Sequence, residues 1–351
     1  MSEDTSDVVY EPSDSFIEST NVWAFMQAHD IDDYDELIER TTQDLDGIEA
    51  SGLEWFWDEL IDYLDIDFDE PYDAVRNDAD GPQFSEWYPG GRLNIAHNTV
   101  DRHARPSNPD RNSVATIWEG EDGTTRPVTF QELHRRANRV ANLLEARGVS
   151  TGDTVALYMP MVPEIVSLLY GIFKVGAVAV PIFSGFGTEA TATRIDDSGS
   201  DVLFTGDGFL RRGDPVALKP TADEALEAAE TRVETVVVYD RLGASDPESD
   251  RSAPMVDGRD EWWHEVVPAQ SDDYETKSLP SNQESMLLYS SGTTGKPKGI
   301  VHTHAGPLVQ AAKEIYFGFD HDPADRFFWV SDIGWMMGPW TLIGNHAFAG
   351  T

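Results

Sequence analysis

The residues from Tyr289 to Gly299 read YSSGTTGKPKG and follow a short apolar stretch, Met286-Leu287-Leu288. They set Ser290, Ser291, Thr293 and Thr294 around Gly292 and Gly295, then add Lys296 and Lys298. Small residues let a backbone approach a ligand and expose its N–H groups. Hydroxyls add donors, and lysine adds mobile positive charge. Such a loop suits the phosphates of a nucleotide. It is not a Walker A motif, which needs a longer spacer before its Gly-Lys pair. Here only Thr293 and Thr294 separate Gly292 from Gly295, and Pro297 stands where Ser or Thr would be required. The alternative is a plain surface turn, built from turn residues. Lysine usage argues against it: the chain has six lysines, none before Lys174, and two of them lie in this run.

The run resembles the phosphate loop of the adenylate-forming superfamily. Other segments resemble its AMP-forming acetyl-CoA synthetase branch: EWYPGGRLNIAHN (Glu86–Asn98), VPIFSGFGTEATATRI (Val180–Ile195), WWHEVV (Trp262–Val267) and SDIGWMMGPW (Ser331–Trp340). The resemblance covers nearly the whole chain after a short leader. It implies an acyl-CoA synthetase that uses ATP, Mg²⁺ and CoA to activate a small carboxylate. Thr293, Thr294 and Lys296 would do the catalytic work on the triphosphate, with Ser290, Ser291, Gly292, Gly295 and Lys298 helping to hold it. Phe183, Ser184, Gly185 and Arg211 match positions that contact CoA. Asp214 departs from that pattern, because a second arginine is common there and an acid repels phosphate; Arg212 is a substitute. A solvated charged turn is the other reading of Arg211 and Arg212.

Within Asp332-Ile333-Gly334-Trp335-Met336-Met337-Gly338, the resemblance assigns Trp335, Met336, Met337 and Gly338 to the acyl pocket. Acetate enzymes usually carry threonine where Met337 stands, so a short or medium carboxylate other than acetate is open. Ordinary core packing is the alternative for Trp335, Met336 and Met337, since Met fills cores readily. His302 and His304 share a strand face, yet no third ligand is near, so packing or hydrogen bonding is expected rather than a metal site.

Hydrophobic periodicity supplies the elements that position these residues. Leu53, Phe56, Trp57, Leu60, Ile61 and Leu64 recur at helical spacing within a run of short helices from Asn21 to Ile66. Residues 67–109 read as an irregular surface wrap. Val114–Trp118 reads as a strand, followed by a helix with a capping box, Thr129 with Glu132, and a stop at Gly148. Strands at Val155–Met159, Ala177–Ile182, Val202–Thr205 and Thr235–Tyr239 alternate with helices at Pro163–Val175, Thr188–Ser198 and Ala222–Thr231. The pattern predicts an α/β fold of βαβ units with mostly parallel sheets. Ligands then sit beyond the carboxyl ends of strands, where the loops after Ile182 and Leu288 lie. Residues 243–283 read as a polar surface excursion, and Phe327–Val330 as an aromatic strand.

Three parts follow: an acidic leader over residues 1–15, a helical and irregular region over 16–110, and an AMP-binding α/β domain over 111–351. The family's small C-terminal domain is not found, and HAFAGT at residues 346–351 resembles no domain end. The reading is therefore an N-terminal fragment, inactive alone. A non-catalytic nucleotide-binding or interaction module that keeps the fold is the alternative.

The formal net charge is -39, from 64 acidic against 25 basic residues. Such a chain repels nucleic acid and anionic membranes. With 40% hydrophobic and 11% aromatic residues it still folds, so the acidity reads as a hydrated surface adapted to high salt. No cysteine is present, which excludes disulfides and thiolate chemistry. No signal segment or apolar span is evident, which predicts a soluble, cytoplasmic protein without membrane insertion.

Overall fold

The computed structural model describes residues 10–45, 51–245, 253–290 and 297–351; the first nine residues of the expected leader lie outside them. A single helical turn, Asp14–Ile17, is capped by Ser13. Three helices follow: α1 (Asn21–Ala28), α2 (Tyr34–Thr42) and α3 (Ser51–Tyr63). Thr20 and Asp33 cap the first two by accepting from the N–H groups of Trp23 and Glu36. Phe25 of α1 is fully buried among Phe56, Tyr63 and Phe317, which ties these helices to the rest of the chain.

Residues 67–109 do not merely wrap the surface. Tyr88, Leu93, Ile95, Ala96 and Val100 are core residues. Two of the asparagines that suggested a surface wrap, Asn94 and Asn98, face inward, onto backbone groups. Asn94 Nδ2 donates to the carbonyls of Phe173 (2.7 Å) and Lys277 (3.0 Å), and Asn98 Oδ1 accepts from the N–H of Asp67 (2.8 Å). Buried amides with such partners carry little desolvation penalty.

Strands β1 (Val114–Glu119) and β2 (Thr125–Thr129) form a hairpin that leads into α4 (Phe130–Ala146), where Thr129 Oγ1 accepts from the N–H of Glu132 as the capping box requires. The βαβ series then runs β3 (Thr154–Tyr158), α5 (Pro163–Val175), β4 (Val178–Pro181), α6 (Thr188–Ser198) and β5 (Val202–Gly206). Helix α5 is buried along its whole length, as an all-round apolar helix must be. Gly176 ends it at φ 75°, and Gly199 ends α6 at φ 65°. A hairpin of β6 (Gly208–Arg211) and β7 (Asp214–Ala217) precedes α7 (Lys219–Ala228) and β8 (Thr235–Tyr239). Strand β9 (Asp260–Trp262) lies in the segment expected to be loop; β10 (Glu284–Ser290), β11 (Lys298–Thr303), α8 (Ala305–Lys313) and α9 (Met337–His346) follow.

The main sheet has seven strands in the order β9-β8-β5-β3-β4-β10-β11. All neighbours pair in parallel except β10 with β11, so the expected mostly parallel α/β sheet is observed. Strand β9 was missed because its place depends on a distant charge, Lys219, as well as on the neighbouring Arg259. Asp260 pairs with the buried Lys219 (2.8 Å) and with Arg259 (2.6 Å). The aromatic strand expected at Phe327–Val330 does not form: the segment carries no regular secondary structure, and Phe328 and Val330 are 83% and 85% exposed. A strand needs a ladder partner, and the backbone contact seen here is a single bond from the N–H of Phe327 to the carbonyl of Thr351 (2.9 Å).

Candidate functional site

Strands β4 and β10 are parallel neighbours, with Ala179 opposite Met286. Their carboxyl ends therefore release two loops side by side, the location at which α/β sheets bind ligands. One loop is Phe183-Ser184-Gly185; the other is the phosphate-type run. Ser290 closes β10 and Lys298 opens β11, and the two stand opposite each other in register. Ser290 is half-buried and Lys298 exposed. Ser291, Gly292, Thr293, Thr294, Gly295 and Lys296 lie outside the described residues.

The Asp332–Gly338 segment folds back onto the Phe183 loop. Asp332 Oδ2 accepts from the Ser184 hydroxyl (2.6 Å) and N–H (3.4 Å), and Oδ1 accepts from the Gly334 N–H (2.8 Å). Gly334 sits so close that a Cβ there would lie 2.3 Å from Phe183 N. The rings of Phe183 and Trp335 are 6.4 Å apart. Burial raises the Asp332 carboxyl above its ordinary value, and the Ser184 and Gly334 donors offset this only in part. Gly338 is also a close approach, since a Cβ would stand 2.6 Å from the Asp332 carbonyl. Met337 points elsewhere. It lines an apolar cavity of about 790 Å³ with Phe25, Phe56, Phe319 and Trp340, between the N-terminal helices and α9. Trp335 thus belongs with the CoA-type loop, and Met337 with the N-terminal helices.

Arg211 is exposed at the end of β6 and stands opposite Asp214 across the hairpin. Arg212 and Gly213 form its tip at φ 56° and 84°, the two positive values of a type I′ turn. Glu121 accepts from the Gly213 N–H (2.9 Å), and the N–H groups of Gly213 and Arg212 lower its pKa. Lower on the same hairpin, Phe209 and Leu210 share a cavity of about 220 Å³ with Ser184, Trp118 and Arg241. The cavity brings one part of the CoA assignment, Ser184, to the base of the hairpin that carries Arg211.

Near the site, Arg194 escaped sequence reading, and Tyr289, the first residue of the phosphate-type run, was given no role there. Arg194 of α6 is only 5% exposed, lies over the rings of Phe186 (4.3 Å) and Tyr289 (5.2 Å), and lines a cavity of about 520 Å³ with Thr188 and Pro297. Tyr289 donates its hydroxyl to Asp197 (2.7 Å), and burial, then Asp197, pushes the phenol up. A basic residue on the inward face of α6, beside Thr191 and Ile195, was the available signal. His304, by contrast, is a packed histidine. It is buried, its Nδ1 accepts from the Ile95 N–H (3.3 Å), and burial pulls it down to about 3.

For the phosphates of ATP, the described donors that fit are Ser290 and Lys298, at the mouth of the hairpin. For CoA, the loop Phe183–Gly185 offers a backbone and a hydroxyl at a cavity edge. Among the described residues no cluster of three His, Asp or Glu suits a metal ion. Magnesium carried by nucleotide phosphates asks for few protein ligands, and no residue is assigned to it.

Similarity to known proteins points the same way. The AMP-binding enzyme family matches residues 101–351, and the acetyl-coenzyme A synthetase N-terminus family matches residues 34–99. The chain is 39% identical over 285 residues to the acetyl-coenzyme A synthetase of Methanothrix soehngenii, covering 81% of this chain and 41% of that protein. It is 42% identical over 270 residues to the acetyl-coenzyme A synthetase of Streptomyces coelicolor, covering 77% and 40%. The acetoacetyl-CoA synthetase structure from Streptomyces lividans superimposes with a TM-score of 0.82 at 28% identity, over 97% of this chain and 50% of that one. The chain thus spans about two fifths of the curated relatives it matches. It belongs to the AMP-binding enzyme family, in its acetyl-CoA synthetase branch.

Proposed function

We propose that the protein takes part in ATP-dependent activation of a short or medium carboxylate, followed by transfer of the acyl group to CoA. A carboxylate oxygen attacks the α-phosphorus, the bond to the β-phosphate oxygen breaks, and pyrophosphate leaves. The CoA thiolate then attacks the acyl carbon and AMP departs. The observation that carries the reading is the convergence of two loops at neighbouring parallel strand ends, one of them flanked by Ser290 and Lys298.

In this reading Thr293, Thr294 and Lys296 neutralise charge that builds on the triphosphate during adenylation, with Ser290, Ser291, Gly292, Gly295 and Lys298 holding it. Phe183, Ser184 and Gly185 seat the thiol-bearing arm of CoA, and Arg211 meets its nucleotide end. Trp335 and Gly338 form the wall against the carboxylate, and Met336 backs it; Met337, which lines the cavity against the N-terminal helices, is left out of that wall. Arg194 supplies a fixed cation beside the phosphate loop. Among the described residues no helix is long and apolar enough to cross a membrane. We place the protein in the cytoplasm of a cell that works at high salt, on the strength of its -39 charge.

The test is carboxylate-dependent ATP–pyrophosphate exchange across a panel of acids. It uses the chain joined at Thr351 to the remaining portion of the Streptomyces coelicolor relative, with that relative as the positive control. Exchange with at least one acid is expected, and Lys296→Ala should lower it about 100-fold, near 3 kcal/mol. A folded protein that binds ATP but exchanges with no acid overturns the synthetase reading in favour of a binding module.

A further inference from the structure

The acyl-side wall and the CoA-side loop meet through one buried carboxylate. Asp332 is 7% exposed, and both of its oxygens are used: one on Ser184, the other on Gly334. No cation pairs with it among the described residues; its partners are a hydroxyl and backbone N–H groups. Three further contacts tighten the junction. Gly334 leaves no room for a Cβ against Phe183 N (2.3 Å), Trp335 lies beside Phe183 (6.4 Å), and the N–H of the fully buried Ile333 meets Met161 Sδ (3.3 Å).

We infer that Asp332 is a positioning residue that fastens the Phe183–Gly185 loop to the Ile333–Trp335 wall, so that thiol donor and acyl group are presented by one rigid unit. The inference rests on the proposed function and adds a residue to it. Asp332 touches neither the acid nor CoA in this scheme; it acts through Ser184 and Gly334. A charge buried among neutral donors is expensive to hold, and Asp332 lies on the high side of the carboxylate range for that reason. One oxygen reaches Ser184, 148 residues away in the chain, and the other Gly334, two residues away. A neutral amide cannot accept from Gly334 and both Ser184 donors at once.

Two measurements on Asp332→Asn and Ser184→Ala test this. On the 351-residue chain, hydrogen–deuterium exchange should quicken about tenfold in peptides covering residues 182–186 in both variants, and stay unchanged in α5, the mark of local rather than global opening. On the extended chain, Asp332→Asn alone should lower kcat for thioester formation about tenfold while pyrophosphate exchange and the KM for the acid shift less than twofold, an effect confined to the second half-reaction. Unchanged protection at 182–186 overturns the fastening. Altered protection with both half-reactions falling equally shows a merely structural contact and overturns the positioning role. Absence of pyrophosphate exchange in the unmutated extended chain defeats the synthetase reading instead, and the exchange of residues 182–186 still decides the fastening.

Discussion

Two buried carboxylates, Asp101 and Asp332, face opposite fates. Asp101 is held by Lys174, whose side chain is fully buried, by His134 (2.8 Å) and by Thr276 (2.5 Å). Burial alone would raise Asp101, but Lys174 and His134 outweigh it and hold the carboxyl far below the usual range. Asp332 has only neutral donors, and burial wins. The first joins the N-terminal region to α5 and α4. The second joins two site loops. Asp101 is held by opposite charge, whereas Asp332 holds two loops together through neutral donors alone.

Breaking the first pair should have the largest effect. Asp101→Ala leaves Lys174 buried without a counter-charge and should destabilise by about 3–5 kcal/mol, read from urea unfolding. Asp332→Asn, which removes an unpaired charge, should change stability by less than about 1.5 kcal/mol. Equal losses would erase the distinction between the two sites.

Acidification should sharpen the contrast, because the two carboxylates have opposite signs. A depressed carboxylate contributes stability above its unfolded value, near pH 4, and loses it as pH falls toward its folded value, so Asp101 weakens the fold below about pH 4. Asp332 is raised; its contribution is present below the unfolded value and is lost as pH rises through the folded one. Buried histidines act earlier. His346 sits at about 4, with Nε2–H on the Ala115 carbonyl (2.9 Å) and Nδ1 accepting from the Tyr170 hydroxyl (2.7 Å). Between the unfolded value near pH 6.5 and pH 4, its unfolded form binds a proton that the native form refuses. Stability should fall by about 1.4 kcal/mol per pH unit for this group. Melting from pH 7 to pH 4 should show that slope added to those of His103 and His304, which burial depresses likewise, and His346→Gln should remove its share.

Salt should have a smaller, diffuse effect. The -39 charge spreads over the surface rather than over either buried pair. Raising KCl from dilute to molar should lift the melting temperature by several degrees in the parent chain and in Asp332→Asn alike, because screening acts on exposed charges. A flat response would remove the high-salt interpretation of the acidity.

Elements with local punctuation were legible in the sequence. Helix Pro163–Val175 begins at a proline and stops before Gly176, and Thr188–Ser198 stops before Gly199; both were read to the residue. The capping box did the same for the start of α4. What failed depends on distant partners. Strand Asp260–Trp262 is acidic and short, and the ion pair of Asp260 with Lys219 comes from far along the chain. Phe327–Val330 has strand composition but lacks a ladder, and composition cannot supply one. Asn94 and Asn98 look like surface residues until Phe173, Lys277 and Asp67 come to meet them. In the site, strand ends told where the loops emerge, whereas the Ser184–Asp332 bond and the stacking of Arg194 on Phe186 arise only on folding.

The scarcity of lysine has a practical consequence. Two of the six, Lys174 and Lys219, have no exposed side-chain surface, and Lys219 is gripped by Asp223 (2.7 Å), Asp260 (2.8 Å) and the Pro254 carbonyl (2.8 Å). Amine-reactive reagents reach these two nitrogens only when the chain opens. Mass spectrometry of the peptides bearing them would therefore time the opening of two separate parts of the molecule, without any engineered label.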